Sequence, residues 1–248
     1  MDYEIGEMIR LAPGAVELHD ARRSIRRTVT LEAFSISRCA LVRNGSDRPT
    51  SGVTWFEAVD LCNRLSSAHG LQPAYTANDR QVRWDVRANG FRLPTEAEWE
   101  YACRAGTTGP HYGDLREIAW TSLDGVDGPQ PVRRKQPNAF GLYDTLGNVW
   151  EWCWDYLDPA RYGDYRVFRG GSWADPPWSV RASTRRGSAP DAVVEGTGLR
   201  LARGAMSAGG SEAPEAAQGW SADQDRARAS ISGPLPAGWT PLRELNSP

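Results

Sequence analysis

The chain has 248 residues, a formal net charge of −2 and 40% hydrophobic residues, enough to bury the core of one large domain or two small ones. Its near-neutral charge argues against nucleic acid as the main partner, and no apolar run approaches the roughly 18 residues that signal a membrane span. Met1-Asp2-Tyr3-Glu4-Ile5 lacks the basic and apolar regions of a secretory signal, and Cys39, Cys62, Cys103 and Cys153 form no CxxC, so a cytoplasmic protein with reduced thiols is expected.

Lys135 is the only lysine, and the other 28 of the 29 basic residues are arginine. A codon bias is the first explanation; a bidentate partner for an anionic ligand is the second. In chain order, Arg22-Arg23 and Arg26-Arg27 read as a solvated face. Val29, Leu31 and Ala33 alternate with polar residues and Phe34 and Ile36 continue the run, which predicts one strand with a bulge.

Two helices are marked by their caps. Thr54-Trp55-Phe56-Glu57 is a capping box leading into Ala58, Leu61, Cys62 and Leu65 at helical spacing, with Gly70 as the stop. Thr95-Glu96-Ala97-Glu98 is a second box, followed by Trp99, Ala102 and Cys103 on one face and Gly106 as terminator. Cys62 and Cys103 therefore read as buried, inert thiols. Residues 106–148 and 170–198 are long Gly- and Pro-rich loops, a length that points to function or to pinning by ions. Arg166–Arg169 and Leu199–Leu201 read as short strands. His19, His69 and His111 are scattered and read as structural or surface residues, with His19-Asp20 the one pair able to orient a proton carrier.

Composition changes after Arg203. Ala, Gly, Ser and Pro fill 26 of the 45 positions from 204 to 248, which leaves too few apolar groups to offset chain entropy, so a domain at 1–203 followed by a disordered tail is expected. Trp220 and Trp239 give that tail a means of docking on a protein partner.

Four motifs stand in a fixed order: Gly90-Phe91-Arg92-Leu93-Pro94-Thr95-Glu96-Ala97-Glu98-Trp99-Glu100-Tyr101-Ala102, Gly141-Leu142-Tyr143-Asp144-Thr145-Leu146-Gly147-Asn148-Val149-Trp150-Glu151-Trp152, Arg169-Gly170-Gly171-Ser172-Trp173, and Gly198-Leu199-Arg200-Leu201-Ala202. Together they resemble the formylglycine-generating enzyme, or sulfatase-modifying factor, family over residues 8–203. The resemblance implies an α+β, C-type-lectin-like fold with little regular secondary structure. It leaves function open, because the family holds copper oxidases of a sulfatase cysteine, iron-dependent sulfoxide synthases, pigment-pathway oxidases, immunity proteins and hypervariable ligand binders.

Departures from the family pattern narrow this range. Copper members carry two cysteines after the Gly-Gly-Ser motif, whereas Ala174-Asp175-Pro176-Pro177-Trp178-Ser179-Val180-Arg181 has none, and Cu(I) selects thiolates. The histidines of the iron-dependent members come largely from a separate helical domain with no counterpart in this sequence. After Ser35-Ile36-Ser37-Arg38 a family helix is replaced by Asp47-Arg48-Pro49 within about ten residues, a trimmed scaffold.

Calcium transfers better. The resemblance implies a structural calcium held by the carboxylates of Asp144 and Glu151 and the carbonyls of Gly147 and Val149, with part of a second calcium site at Asp124 and Val126. It also makes Ser172 and Trp173 the floor of a ligand groove whose wall carries Asp175, Trp178, Arg181, Arg185 and Arg186. Two indoles and forked guanidinium groups suit a planar or anionic small molecule or peptide. Ser172, Trp173, Trp178 and Arg185 are the expected ligand contacts, and Asp175 with Arg181 the expected catalytic pair. The leading expectation is a cysteine-independent oxidoreductase of a biosynthetic pathway, its catalytic metal left open. The alternative is a non-catalytic binder, such as an immunity protein or a hypervariable-type binder.

Overall fold

Both capping boxes form. The Thr54 hydroxyl accepts the Glu57 N–H at 3.1 Å while the Glu57 carboxylate accepts the Thr54 N–H at 2.7 Å, starting helix α1 at Trp55–Ala68. Thr95 and Glu98 repeat the arrangement for helix α2 at Glu96–Arg104, which ends where Ala105 turns left-handed. The computed structural model describes residues 3–20 and 25–204. Arg22-Arg23 and the tail from 205 onward, with Trp220 and Trp239, lie outside the described residues.

Around the helices stand two four-stranded sheets. The first orders Met8–Leu11, Phe34–Ser37, Ala202–Arg203 and Phe91–Arg92, all antiparallel. The second orders Arg185–Ser188, Arg166–Arg169, Trp150–Tyr156 and Thr197–Gly198, its last pair parallel. Gly14–Asp20 pairs with Ile25–Leu31 in a hairpin, and Tyr75–Asn78 with Gln81–Trp84 in another. The result is the α+β fold implied by the motifs, with long stretches of irregular chain between short elements. Among the described residues no helix is long and apolar enough to cross a membrane.

Two strand expectations are corrected. The bulged strand at 29–36 is two strands in different sheets: Leu31 closes the hairpin, and the chain passes through Glu32-Ala33 to join the first sheet at Phe34. Leu31 and Phe34 are both buried, a spacing of three that fits a change of sheet and not a continuous pleat. Leu199–Leu201 is likewise not a strand. It is the fully buried crossing from Thr197–Gly198 in the second sheet to Ala202–Arg203 in the first.

Helix α2 is buried on nearly every side. Ala97 and Ala102 pack with Leu11, Val29, Phe34 and Leu142, while Trp99 and Cys103 pack with Leu146, Cys153 and Val167. Its glutamates are consequently buried too, and each meets arginine. Arg92 forks onto Glu98 with two 2.7 Å bonds. Arg169 bridges Glu96 and Glu100, Arg185 forks onto Glu96, and Arg104 holds Glu100 at 2.7 Å. Burial alone would raise the Glu96 carboxyl, but Arg185 and Arg169 hold it below the usual carboxylate range.

Removing one member of such a set leaves a buried charge without its partner. Arg169→Met is expected to cost about 3–5 kcal/mol in guanidinium unfolding. Arg64→Met, which breaks the exposed helical pair with Asp60, should cost less than about 0.5 kcal/mol. Equal losses for the two variants would refute the assignment of Arg169 as the central ion pair.

Candidate functional site

The loop that follows strand Arg166–Arg169 turns on two glycines. Gly170 and Gly171 take φ of +103° and +87°, and a Cβ on Gly171 would stand 2.8 Å from the Val180 side chain, so the turn excludes other residues. It delivers Ser172 beneath Asp175. The Ser172 N–H and hydroxyl both donate to Asp175 Oδ2, at 2.9 and 2.7 Å, and the Trp150 indole N–H donates to the same oxygen at 2.7 Å. Arg186 holds Oδ1 at 3.0 Å, reaches the Ser179 hydroxyl at 2.9 Å and stacks over the Trp150 ring.

These contacts bear on three of the expected site residues. Asp175 is buried with both oxygens engaged by four donors, so it is a structural hub and not a free proton acceptor. Ser172 is buried and its hydroxyl serves that hub. Arg185 does not reach for a ligand, because its guanidinium is forked on Glu96 and also donates to the Leu157 carbonyl.

Other wall residues remain available. Trp178 is 69% exposed. Arg181 is exposed, and its guanidinium has no partner among the described residues. Trp173 is half-buried, anchored by its N–H to the Asn148 carbonyl at 2.9 Å, while its indole nitrogen is buried without a hydrogen-bond partner. The structure thus separates a pinned base (Ser172, Asp175, Arg185, Arg186) from an open crest (Trp178, Arg181).

The loop from Asp144 to Glu151 was expected to hold calcium through two carboxylates. Asp144, Gly147 and Asn148 all adopt positive φ, and a Cβ on Gly147 would strike the Trp120 carbonyl, so the loop is tightly wound. Asp144 is 2% exposed; its Oδ2 accepts the Arg133 N–H at 2.8 Å and its Oδ1 is buried without a hydrogen-bond partner. Burial pushes its carboxyl up to about 6 against the opposing pull of that N–H. An orphaned, desolvated carboxylate oxygen is what a hard cation would take. Glu151 does not fit that role: both its oxygens are held by Arg200, at 2.8 to 3.1 Å, and the Trp99 indole donates at 2.7 Å. For the second expected site, Asp124 caps a short turn through Thr121 and pairs with Lys135 at 2.8 Å; burial would raise its carboxyl, but these donors hold it low. Val126 lies in the turn just beyond, and the Asp124 carboxylate is engaged by Lys135.

Among the described residues no group of three His, Cys, Asp or Glu is placed to hold a metal ion. Cys62, Cys103 and Cys153 are fully buried, and burial pushes the Cys103 thiol up to about 12. His111 bonds the Val180 carbonyl at 2.9 Å and His69 the Leu65 carbonyl at 2.9 Å, both structural; His19 is exposed on its strand. Sequence reading missed Trp150 as a donor to Asp175, and nothing in the motif itself marks that contact across 25 residues. It also missed a cavity lined by the 37–47 segment and the 132–134 loop, assembled from distant parts of the chain.

Known proteins are similar to this chain in sequence and in fold. The chain is 40% identical over 149 residues to the inactive C-alpha-formylglycine-generating enzyme 2 of Bos taurus, covering 50% of this chain and 49% of that protein. It is 37% identical over 161 residues to the formylglycine-generating enzyme of Streptomyces coelicolor, covering 52% and 51% respectively. The chain therefore spans about half the length of these curated relatives. Its fold is similar to that of Treponema denticola variable protein 1, with a TM-score of 0.73 at 29% identity over 82% of this chain and 98% of that one. With residues 39–205 matching the sulfatase-modifying factor enzyme 1-like domain, and with that fold, the chain belongs to the formylglycine-generating enzyme-like family.

Proposed function

We propose that this chain is a ligand-binding member of the family, taking a planar or anionic group of a small molecule or peptide on Trp178 and Arg181 beside Trp173. The observation that carries this reading is Asp175. Three donors saturate its Oδ2 and Arg186 holds its Oδ1, which supports the shape of the wall and ties the carboxylate to the protein in place of a substrate proton. The remaining wall chemistry is an exposed indole and an unpaired guanidinium, which bind by stacking and by bidentate hydrogen bonding. One similar protein carries the description inactive, which is compatible with this reading.

Calcium is part of the same proposal in reduced form. Asp144 would supply the single carboxylate and Gly147 and Val149 their carbonyls, with Glu151 left on Arg200. The ion would neutralise a buried charge and brace the loop that carries Asn148, the anchor of Trp173.

Two tests follow from this site. A thermal-shift screen of aromatic anions and peptides should yield ligands whose binding is lost in Trp178→Ala and Arg181→Ala, with the unliganded Tm unchanged because both positions are on the surface. Asp175→Asn should instead lower stability by about 1–3 kcal/mol, since buried donors lose an acceptor. Oxygen-dependent turnover by wild-type protein, including aldehyde formation on a sulfatase-motif peptide with copper supplied, would overturn the binding reading.

For calcium, free ion at about 100 times its Kd should add roughly 2.7 kcal/mol of stability, or about 5–10 °C in Tm. Chelator should remove that gain, and Asp144→Ala should abolish the response. A melting curve indifferent to chelator, together with no calcium by elemental analysis, would eliminate the site.

A further inference from the structure

A cavity of about 580 Å³ opens where the N-terminal segment, the 37–47 segment and the 132–134 loop meet. Its volume falls in the range of small-molecule pockets. It shares no lining residue with the 172–186 wall. Ile5, Leu41, Val132 and Leu201 give it apolar surface, and Cys39 also lines it.

The charged lining is unbalanced. Arg38, Arg43, Arg133 and Arg134 line the cavity, against only Glu7 and Asp47. Arg38 reaches Glu7 at 3.0 Å, yet its Nε is buried without a hydrogen-bond partner. Arg43 is engaged by Tyr3, through a 3.3 Å hydrogen bond and the ring face. The exposed guanidinium groups of Arg133 and Arg134 have no hydrogen-bond or ion-pair partner among the described residues.

The backbone behind those two arginines is fixed. Val132 donates its N–H to the Asp47 carbonyl at 2.8 Å, and Arg133, in a left-handed conformation at φ +63°, donates its N–H to the buried Asp144 carboxylate at 2.8 Å. Two consecutive arginines on an anchored turn, lining the same cavity as apolar side chains, can take an acid group with little loss of backbone freedom.

We propose that this cavity binds an organic anion with an apolar body, its acid group held by Arg133 and Arg134 and its body against Ile5, Leu41, Val132 and Leu201. This site stands independently of the groove at Trp178. A carboxylate and a phosphate monoester share the chemistry, and the test separates them.

Cys39 supplies a local reporter, since it lines the cavity and is half-buried, whereas Cys62, Cys103 and Cys153 are fully buried. The full chain is titrated with anilinonaphthalene sulfonate, and iodoacetamide labelling of Cys39 is followed by mass spectrometry. Saturable binding that weakens with salt and slows Cys39 labelling by about tenfold is expected. Arg133→Gln with Arg134→Gln should weaken binding by about tenfold at unchanged Tm. Trp178→Ala should leave both readouts intact, which distinguishes this site from the groove. Benzoate or phenyl phosphate should displace the probe, the stronger competitor naming the acid group, while benzyl alcohol should not. Probe binding without protection of Cys39, undiminished binding by the double variant, or displacement by neither acid would overturn the proposal.

Discussion

Arg169 is the tie on which the fold depends. It is fully buried, bridges Glu96 and Glu100 on one face of α2, and donates to the Ala182 carbonyl at 2.5 Å. It therefore joins the second sheet, the buried helix and the wall of the groove in one contact set. A fold with so few ladder hydrogen bonds needs other means of fixing its loops, and short charge-assisted bonds in a dry interior are strong and directional. The same device recurs at Arg92–Glu98 and Arg200–Glu151, where Arg200 also donates to the carbonyls of Ser37 and Tyr143 at 2.7 Å each.

This arrangement sets what the groove wall can do. Arg185 is fastened to Glu96 and Arg186 to Asp175, so strand Arg185–Ser188 is pinned from two sides. Between the pinned positions the chain crosses Trp178 and Arg181 at the surface. Fixing the base of a loop reduces the ordering cost of binding at its crest. The charged residues that sequence reading gave to a ligand are therefore mostly the supports, and the exposed pair is what they support.

Local features were legible and distant ones were not. The boxes at Thr54–Glu57 and Thr95–Glu98 operate over three residues, and their side-chain types leave little choice of partner. Glu98 also belongs to Arg92 six residues earlier, and nothing in the box signals that second bond. The contacts of Asp175 and Arg185 are hidden for the same reason. Their partners, Trp150 and Glu96, lie 25 and 89 residues away, and an acidic or basic residue in a loop has the same sequence signature whether it awaits a ligand or is already paired. The change of sheet at Glu32-Ala33 was hidden because the apolar pattern continued across it.

Burial also changes the meaning of the arginine excess. Codon bias accounts for exposed arginines such as Arg64, where a lysine would pair with Asp60 nearly as well. It does not account for Arg92, Arg169, Arg185 and Arg200. Each of these directs more than one N–H at carboxylate oxygens, Arg92, Arg185 and Arg200 each at two points on a single glutamate and Arg169 across two glutamates. An ammonium group carries the same charge but no planar fork, and it is more strongly hydrated, so burying it in these slots would leave acceptors unmatched at a higher desolvation cost. At these positions the residue type follows from geometry, whatever the codon preference supplied. Arg166 makes the point without any carboxylate: it is buried against the rings of Trp55 and Tyr156, at 4.0 and 3.7 Å, and donates to the Trp154 carbonyl at 2.6 Å. A flat, delocalised cation can stack in that slot, and a lysine cannot.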